Sequence, residues 1–309
     1  MEKKEYPLVI IGGGPGGLTA AIYAMRGGLP CLVIEKAVAG GAMFLTDLIE
    51  NFPGFPGGIL GPELSQRMEQ QAKSLGAEFL QDEVDAIALE GDLKVVKLAA
   101  GESVKSRALI VATGCSPNKL GIPGEDKFYG RGVSYCATCD GAFFKGAEVA
   151  VIGGGDTAVQ EALLLAKMTK HVHIIHRRDQ LRAIQALQDA AKAAGNISFH
   201  WNSVAEAVEG ENQVMALKIL HKHSGQKRSL PVEGVFIYVG MNPITGFIKH
   251  LVEMTPDGYI KAGEDTKTSV PGIFAVGDVR KKPTRQIASA VGDGCNAVKA
   301  VEDYLLGLD

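Results

Sequence analysis

The sequence predicts an α/β protein with two Rossmann-like dinucleotide-binding domains. Two segments support this prediction, because in each of them an apolar run leads into a glycine-rich turn and then into a helical pattern. The turns lie at residues 12–17 and 153–158. A chain of 309 residues also suits two domains of roughly 100 to 200 residues each, both large enough to bury a core.

The first turn follows the apolar run 8–11 and carries glycines at the spacing of a dinucleotide fingerprint. We expect Gly12 to permit the tight turn, Gly14 to let the backbone approach a pyrophosphate, and Gly17 to allow close helix packing. A second apolar run ends in Glu35, whose carboxylate can bind ribose hydroxyls. The alternative is a glycine turn that packs against the fold and binds no ligand.

The second turn follows the strand-like run 148–152 and has Gly153 and Gly155 at the fingerprint positions. A helical pattern follows this turn as well. His176 takes the place that Glu35 has after the first turn, so the carboxylate is missing here. The two predicted sites therefore differ in the group that would face the adenosine ribose.

Three arginines follow His176, namely Arg177, Arg178 and Arg182. They place cationic groups where an adenosine 2′-phosphate would lie, and guanidinium groups bind phosphate well. The pattern favours NADPH over NADH. The alternative is an ordinary solvated basic surface after a strand.

A dithiol motif, residues 136–139 with Cys136 and Cys139 at its ends, lies just before the second turn. Zinc would need further ligands, and no second Cys or His pair has matching spacing. The polar neighbours Ser134 and Asp140 argue against two thiols that only pack in a core. A thioredoxin-like fold is a further alternative, although the flanking units are dinucleotide domains. We favour a redox-active disulfide, because disulfides of this spacing exchange readily.

Composition narrows the function classes. The net charge of -3 provides no basic field for nucleic acid, and no apolar run approaches the roughly 20 residues of a membrane span. The five cysteines are scattered, unlike the framework of a small secreted domain, and the histidines have no ligand geometry. We therefore expect a cytoplasmic protein without a metal, a nucleic-acid partner or a membrane anchor.

Three further segments resemble the FAD-binding pattern of two-dinucleotide flavoprotein reductases. They are residues 51–54, 109–114 and 273–278. The resemblance implies that Asp278 contacts the ribityl and pyrophosphate region of the flavin. It also implies that Arg285-Gln286 begins a helix whose N-terminus faces the isoalloxazine. Because these segments come from both ends of the chain, the FAD domain is expected to be discontinuous and the second domain to be inserted into it.

Over essentially its whole length the chain resembles the low-molecular-weight thioredoxin reductases. The motifs that carry the resemblance are residues 12–17, 136–141, 153–158, 176–178 with 182–183, and 277–278 with 285–286. The larger disulfide reductases carry their dithiol near the N-terminus, and residues 35–60 hold no such pair. The resemblance implies electron transfer from NADPH through FAD and the Cys136/Cys139 disulfide to oxidised thioredoxin or a thioredoxin-like protein.

The resemblance also implies roles for individual residues. Cys139 would be the sulfur next to the flavin, and Cys136 would attack the partner disulfide. Asp140 would be a proton donor, the alternative being a surface or capping carboxylate. The family is homodimeric and rotates its two domains between two arrangements.

The expected domains are an FAD-binding domain in two parts, 1–117 and 246–309, and an NADPH-binding domain with the dithiol, 118–245. The residues expected to bind FAD are Gly12, Gly14, Pro15, Gly17, Glu35, Gly41, Asn51, Ala112, Thr113, Gly114, Gly277, Asp278, Arg285, Gln286 and Ile287. The residues expected to bind NADPH are Gly153, Gly155, Asp156, Thr157, His176, Arg177, Arg178 and Arg182.

Two departures from the family pattern stand out. Ala42 replaces the usual Gln near the flavin, which predicts a changed flavin potential. Thr157 and Gln160 replace the usual Ser and Glu of the second fingerprint, although Glu161 is kept.

The alternatives to a thioredoxin reductase are a related reductase with another donor, such as ferredoxin or NADH, or another acceptor, such as a glutaredoxin-like protein or a peroxiredoxin. A flavin-holding redox sensor without catalytic activity is an alternative of another class.

Overall fold

The computed structural model describes residues 5–46 and 48–307, which contain six α-helices and nineteen β-strands. The chain divides into two compact units, one made of 1–116 with 242–309 and the other of 117–241. The second unit is thus inserted into the first, as the sequence predicts. No helix in the described residues is long and apolar enough to cross a membrane.

The chain crosses between the units at 116/117 and at 241/242, close to the 117/118 and 245/246 expected from the sequence. The second crossing comes earlier than expected because residues 242–245 are tied to the first unit. The Ile244 amide donates to the Gly114 carbonyl at 3.0 Å. The Thr245 hydroxyl donates to the Gly258 carbonyl at 3.2 Å.

The helices are numbered in chain order. They are α1 (Pro15–Arg26), α2 (Gly61–Ser74), α3 (Ala137–Asp140), α4 (Asp156–Ala166), α5 (Gln185–Ala193) and α6 (Ile287–Leu305). Short 3₁₀ turns occupy Gly41–Met43, Gly141–Phe144 and Gly277–Val279.

The strands are numbered in the same way. They are β1 (Glu5–Ile11), β2 (Cys31–Glu35), β3 (Leu48–Ile49), β4 (Ile59–Leu60), β5 (Glu78–Gln81), β6 (Val84–Glu90), β7 (Leu93–Leu98), β8 (Ser103–Val111), β9 (Cys115–Pro117), β10 (Val133–Ser134), β11 (Glu148–Gly153), β12 (His171–Ile175), β13 (Ile197–His200), β14 (Ser203–Gly210), β15 (Val214–His221), β16 (Lys227–Pro231), β17 (Gly234–Tyr238), β18 (Met241–Pro243) and β19 (Ile273–Ala275).

The first unit is built on a seven-stranded sheet of order β5-β2-β1-β8-β7-β6, in which β19 also pairs with β8. Strands β5, β2, β1, β8 and β19 are parallel, whereas β6 and β7 form an antiparallel extension. Ile11 lies in register with Ile34 and with Val111. Gly12, Glu35 and Ala112, which follow these strand residues, therefore meet at one edge of the sheet.

Both faces of this sheet are buried, which explains the continuous apolar runs of its parallel strands. On one face α1 and α6 pack through small residues, among them Ala20, Ala24 and Ala297. On the other face Val9 and Leu109 pack against residues of the 246–279 segment. The segment after the insertion thus completes the core of the first unit.

The second unit holds a five-stranded parallel sheet of order β10-β17-β11-β12-β13. Helices α4 and α5 cover one of its faces, and the antiparallel sheet β14-β15-β16 covers the other. Ile152 lies in register with Ile175 and with Ile237. Gly153, His176 and Tyr238 therefore meet at the carboxyl edge of this sheet.

Candidate functional site

The first glycine turn of the first unit is shaped by close approaches that only glycine permits. Gly12 has a φ of 103°, and a Cβ atom there would lie 2.5 Å from the Ala112 carbonyl oxygen. A Cβ atom on Gly17 would collide with the Gly12 carbonyl oxygen. Gly14 differs, because no atom lies within 4 Å of the Cβ position. Gly14 is also the N-cap of α1, with Pro15 as the first helical residue. The turn thus leaves open space at a helix N-terminus, which suits a pyrophosphate.

Glu35 and the turn at Gly40-Gly41 border this open space. The Glu35 carboxylate accepts hydrogen bonds from the Gly13 amide at 2.7 Å and from the Ala37 amide at 2.9 Å. The Gly40 amide donates to the Gly13 carbonyl at 2.7 Å, and a Cβ atom on Gly41 would lie 3.5 Å from the Gly14 Cα atom. These predicted FAD residues therefore lie side by side.

The segment around Ala112 and Thr113 forms another side of the same site. Ala112 continues the sheet, because its amide donates to the Ile11 carbonyl at 2.8 Å. The Thr113 hydroxyl donates to the Ile244 carbonyl at 2.7 Å, and Gly114 has a left-handed φ of 68°. A backbone angle in this region favours glycine at position 114.

Asp278 and Arg285 come from the far end of the chain. Burial raises the pKa of Asp278, and the charges of Lys282 and Arg285 oppose this rise. The Cys115 thiol lies 3.9 Å from an Asp278 carboxylate oxygen, and burial followed by this carboxylate raises the pKa of the thiol to about 12. The Arg285 guanidinium stacks on the Tyr259 ring, 4.3 Å from its centroid.

Helix α6 begins at Ile287, with Gln286 as its N-cap. The Gln286 and Ser289 side chains each bond the other residue's backbone, which forms a capping box. The Asn51 amide donates to the Gln286 side-chain oxygen at 3.1 Å. The structure therefore brings Asn51 to the start of this helix, where the resemblance expects the flavin.

A buried ion cluster that the sequence analysis missed supports this region. The Asp293 carboxylate on α6 accepts from the Arg280 guanidinium at 2.7 and 2.9 Å, from the Lys282 ammonium at 2.8 Å and from the Gly277 amide at 2.8 Å. Asp293, Arg280 and Lys282 are 5%, 3% and 8% exposed. The cluster fixes the Gly277-Asp278 turn to α6.

The second glycine turn, in the second unit, has the same architecture as the first. A Cβ atom on Gly153 would lie 2.6 Å from the Tyr238 carbonyl oxygen. Gly155 is the N-cap of α4. A Cβ atom on Gly155 would meet only the Arg182 guanidinium, at 3.8 Å. The Asp156 carboxylate accepts from the Ile184 amide at 2.8 Å, and Thr157 is exposed on the first turn of α4.

His176 and Arg182 border this turn, and Arg177 and Arg178 lie between them in the chain. The His176 ring packs directly on Gly154 and is only 5% exposed, and burial lowers its pKa. Arg177, Arg178 and Arg182 are exposed, and none of the ion pairs between described residues involves them. The Arg182 guanidinium therefore lies at the N-terminus of α4, and Arg177 and Arg178 directly follow His176 in the chain.

Each predicted nucleotide site holds one buried nitrogen without a partner. Among the described side chains, the buried nitrogen and oxygen atoms that lack a hydrogen-bond partner are His176 Nε2 and Arg285 Nε. An unpaired buried polar group costs about 1 to 3 kcal/mol, so native proteins rarely leave one without a hydrogen-bond partner. The residues of both sites therefore fit cofactors that bring polar atoms to these nitrogens.

The predicted dithiol is a disulfide in the structure, between Cys136 and Cys139. Cys136 is the N-cap of α3, and its Sγ accepts from the Cys139 amide at 3.2 Å. The Ser134 hydroxyl donates to an Asp140 carboxylate oxygen at 2.5 Å and accepts from the Cys136 amide at 3.0 Å. Both cysteines are half-buried, so the disulfide remains within reach of another molecule.

Two side chains that the sequence analysis did not assign to the dithiol contact its loop. The Ala137 amide donates to the Tyr238 hydroxyl at 2.6 Å, and the Thr138 hydroxyl donates to a Glu161 carboxylate oxygen at 3.4 Å. Tyr238 ends a strand about 100 residues downstream, and no local motif marks it. Among the described residues no group of three or more His, Cys, Asp or Glu side chains could hold a metal ion.

Comparisons with known proteins agree with this architecture. The sequence profile of the family described as pyridine nucleotide-disulphide oxidoreductase matches residues 6–294. A thioredoxin reductase of Streptomyces coelicolor is 46% identical over 97% of this chain and 94% of its own length. One of Listeria monocytogenes is 46% identical over 100% of this chain and 98% of its own. The crystal structure of thioredoxin reductase from Streptococcus pyogenes superposes with a TM-score of 0.93 at 44% identity, over 99% of this chain and 100% of that chain. The predicted fold class is confirmed.

Proposed function

Because this chain belongs to the thioredoxin reductases of the pyridine nucleotide-disulphide oxidoreductase family, we propose that it transfers two electrons from NADPH, through FAD and the Cys136–Cys139 disulfide, to oxidised thioredoxin. One observation carries the proposal: a half-buried disulfide adjoins one complete dinucleotide turn, and the other unit has a second such turn. When bound, NADPH and FAD supply the hydride and the two-electron carrier. The residues of the chain bind and orient them.

In the first unit, Gly12, Gly14 and Gly17 shape a space for the FAD pyrophosphate at the N-terminus of α1. Glu35 keeps acceptor capacity for ribose hydroxyls besides its two backbone bonds, since a carboxylate has about four lone-pair sites. The N-terminus of α6 stabilises negative charge nearby, because helix N-termini carry partial positive charge. These features support FAD at this unit.

In the second unit, Gly153 and Gly155 open the matching space at α4. Arg177, Arg178 and Arg182 would bind the 2′-phosphate, and the lack of a carboxylate at His176 removes the group that would repel it. These features support NADPH over NADH at this unit.

The thiol chemistry uses the reduced pair. The Cys136 thiolate attacks the partner disulfide, so that a mixed disulfide forms and one partner sulfur leaves as a thiolate. The Cys139 thiolate then attacks Cys136 Sγ, which releases the second partner sulfur and closes the ring. Asp140, held by Ser134, is proposed to deliver a proton to a leaving thiolate.

We further propose that the protein acts as a homodimer in the cytoplasm, following the family resemblance. Cys31, Cys115 and Cys295 are free thiols, which suits a reducing compartment. Light scattering of the purified protein at several concentrations tests the dimer. A mass of one chain, 32.6 kDa, at all concentrations would contradict it.

The test of the function is anaerobic stopped-flow absorbance of the purified flavoprotein. Mixing with NADPH is expected to bleach the flavin quickly and mixing with NADH much more slowly, and oxidised thioredoxin is then expected to restore the yellow colour. The Cys136→Ser/Cys139→Ser variant should still be bleached by NADPH but should not reduce thioredoxin. If neither nucleotide bleaches the wild type, or if this variant still reduces thioredoxin, the proposal is wrong.

A further inference from the structure

The disulfide loop contacts two side chains from elements next to the second dinucleotide turn, Tyr238 at the end of β17 and Glu161 on α4. The Ala137 amide donates to the Tyr238 hydroxyl at 2.6 Å, and the Thr138 hydroxyl donates to the Glu161 carboxylate at 3.4 Å. Tyr238 also interacts with Glu161, whose charge raises the pKa of the tyrosine. The loop, the tyrosine and the glutamate therefore form one connected network inside the second unit.

The positions of these residues make the network hard to replace. Ala137 is only 1% exposed, so its amide cannot reach water and needs the Tyr238 oxygen as an acceptor. Tyr238 lies in register with Gly153, and Glu161 lies on α4, the helix that begins at the same turn. The loop amide that follows Cys136 is thus connected to the turn predicted to bind NADPH.

The charge state of the network follows from its burial. Burial raises the pKa of Tyr238, and the Glu161 charge raises it further, so the phenol stays neutral. Burial also raises the pKa of Glu161, whereas the bonds from Thr138 and Tyr238 lower it. Besides Glu161, Asp140 is the other charged group that acts on Tyr238. The Thr138 bond places the Glu161 carboxyl group against the disulfide loop.

We propose that Glu161 and Tyr238 are positioning residues that tune the reduction potential of the Cys136–Cys139 disulfide, Glu161 through its negative charge and Tyr238 by holding that charge and the Ala137 amide in place. The inference deepens the proposed function and rests on it.

The reaction that they affect is the opening of the disulfide. Two electrons break the S–S bond, one sulfur takes up a proton and the other remains a thiolate until it takes up a second. A carboxylate next to this loop repels the thiolate and so disfavours the reduced form. Neutralising the carboxylate is expected to make the disulfide easier to reduce.

The test is the redox equilibrium of the disulfide in glutathione buffers, with no NADPH and no thioredoxin. The FAD-loaded protein is equilibrated anaerobically at a series of [GSH]²/[GSSG] ratios. Free thiols are then alkylated, and the peptide holding Cys136 and Cys139 is quantified by mass spectrometry. For Glu161→Gln we expect half-reduction at a ratio about tenfold lower than for the wild type, which corresponds to a thiol pKa change of about one unit. Glu148→Gln, which removes a charge at the start of β11 in the same unit, is the matched control and should stay within about twofold.

Tyr238→Phe provides a second variant. It removes a hydrogen bond that lowers the pKa of Glu161 and also frees the Ala137 amide to face the thiolate, so both effects favour reduction. We expect a shift of about threefold in the same direction, and a smaller shift when Glu161 is already Gln, since contacting residues couple. The control is Tyr6→Phe, which loses a comparable 2.6 Å bond to Glu78 in the other unit.

The proposal is overturned if Glu161→Gln and Tyr238→Phe are half-reduced at [GSH]²/[GSSG] ratios within twofold of those of their controls. Circular dichroism must show that both variants are folded. If Glu161→Gln does not fold, Tyr238→Phe decides alone. Because the readout needs neither nucleotide nor thioredoxin, failure of the proposed function would leave this shift measurable, and failure of the shift would leave thioredoxin reduction intact.

Discussion

At the scale of single residues, the glycines of the first turn separate folding from cofactor binding. A Cβ atom on Gly14 meets no atom within 4 Å and occupies only the space proposed for the pyrophosphate. We therefore expect Gly14→Ala to change the free energy of unfolding by less than about 1 kcal/mol. We expect the same variant to weaken FAD binding by roughly tenfold or more, a loss equal to about 1.4 kcal/mol. Urea unfolding of the apoprotein and FAD titration measure the two effects.

Gly12→Ala is the matched comparison, because the same methyl group meets the Ala112 carbonyl oxygen at 2.5 Å and forces a left-handed residue. Strained backbone of this kind costs about 1 to 3 kcal/mol. This variant should lower the stability of the apoprotein itself. Equal stability of the two variants would show that the turn geometry is not set by these contacts.

Arg177 and Arg178 allow a test of nucleotide choice at the same scale. Charge-assisted hydrogen bonds contribute about 1.5 to 3 kcal/mol each, and solvent reduces this for exposed groups such as these. Arg177→Gln/Arg178→Gln is expected to raise the KM for NADPH by about tenfold or more and to leave the KM for NADH nearly unchanged. Steady-state kinetics with both nucleotides measures this. A parallel rise for NADH would mean that the arginines act on something other than the 2′-phosphate.

At the scale of elements, β12 and β13 carry a histidine cluster that predicts acid sensitivity. His173 Nδ1 lies 3.1 Å from His200 Nε2, and His173 Nε2 lies 3.5 Å from the Glu148 carboxylate. Burial, followed by the charges of His173, Arg228 and His171, lowers the pKa of His200 to about 4. Burial lowers the pKa of His173 as well.

The sign of the pH effect follows from these shifts. Unfolded histidine has a pKa near about 6.5, so between this pH and about 4 the unfolded chain binds more protons than the folded one. The stability that depends on neutral His200 is thus complete above pH 6.5 and is lost as the pH falls towards 4. We expect the urea concentration at the unfolding midpoint of the second unit to decrease when the pH is lowered from 7 to 5. The decrease should be smaller in His200→Gln. His223→Gln, on an exposed turn, should retain the full pH dependence.

The elements also show which features a sequence can predict. The two turns, Glu35 and the dithiol follow from short-range patterns, since the residues that form each of them are close in the chain. Tyr238 and Asp293 were not predicted, because their hydrogen-bond partners are distant in the chain. Tyr238 bonds Ala137, and Asp293 bonds Gly277. The bonds that tie Ile244 and Thr245 to the first unit are tertiary contacts, which a local sequence pattern does not show.

At the scale of the whole molecule, each unit has its own hydrophobic cores. The clusters around Ile10, Val9 and Leu64 contain residues of the first unit only, and those around Val151 and Val235 contain residues of the second only. A unit with its own core can unfold by itself. A substitution that damages one core should therefore leave the other intact.

Asp293→Asn tests this separation. The variant leaves Arg280 and Lys282 buried, at 3% and 8% exposure, without the carboxylate that neutralises them. Breaking a buried ion pair by removing one partner costs about 3 to 5 kcal/mol. We expect thermal unfolding to split into two transitions, of which only the earlier belongs to the first unit. Hydrogen exchange should speed up in β1, β8 and α6 and stay unchanged in β11 and β12.

The same helix supplies the control for this prediction. Asp303 also forms an ion pair on α6, with Lys299 at 2.5 Å, but this pair lies at the surface. Surface pairs contribute about 0 to 1 kcal/mol, so Asp303→Asn should leave a single transition close to that of the wild type. If Asp293→Asn instead accelerates exchange in β11 and β12 as much as in β1, the two units unfold as one cooperative body. Their separate cores would then govern packing only, and the insertion would transmit stability from the flavin unit to the dithiol unit.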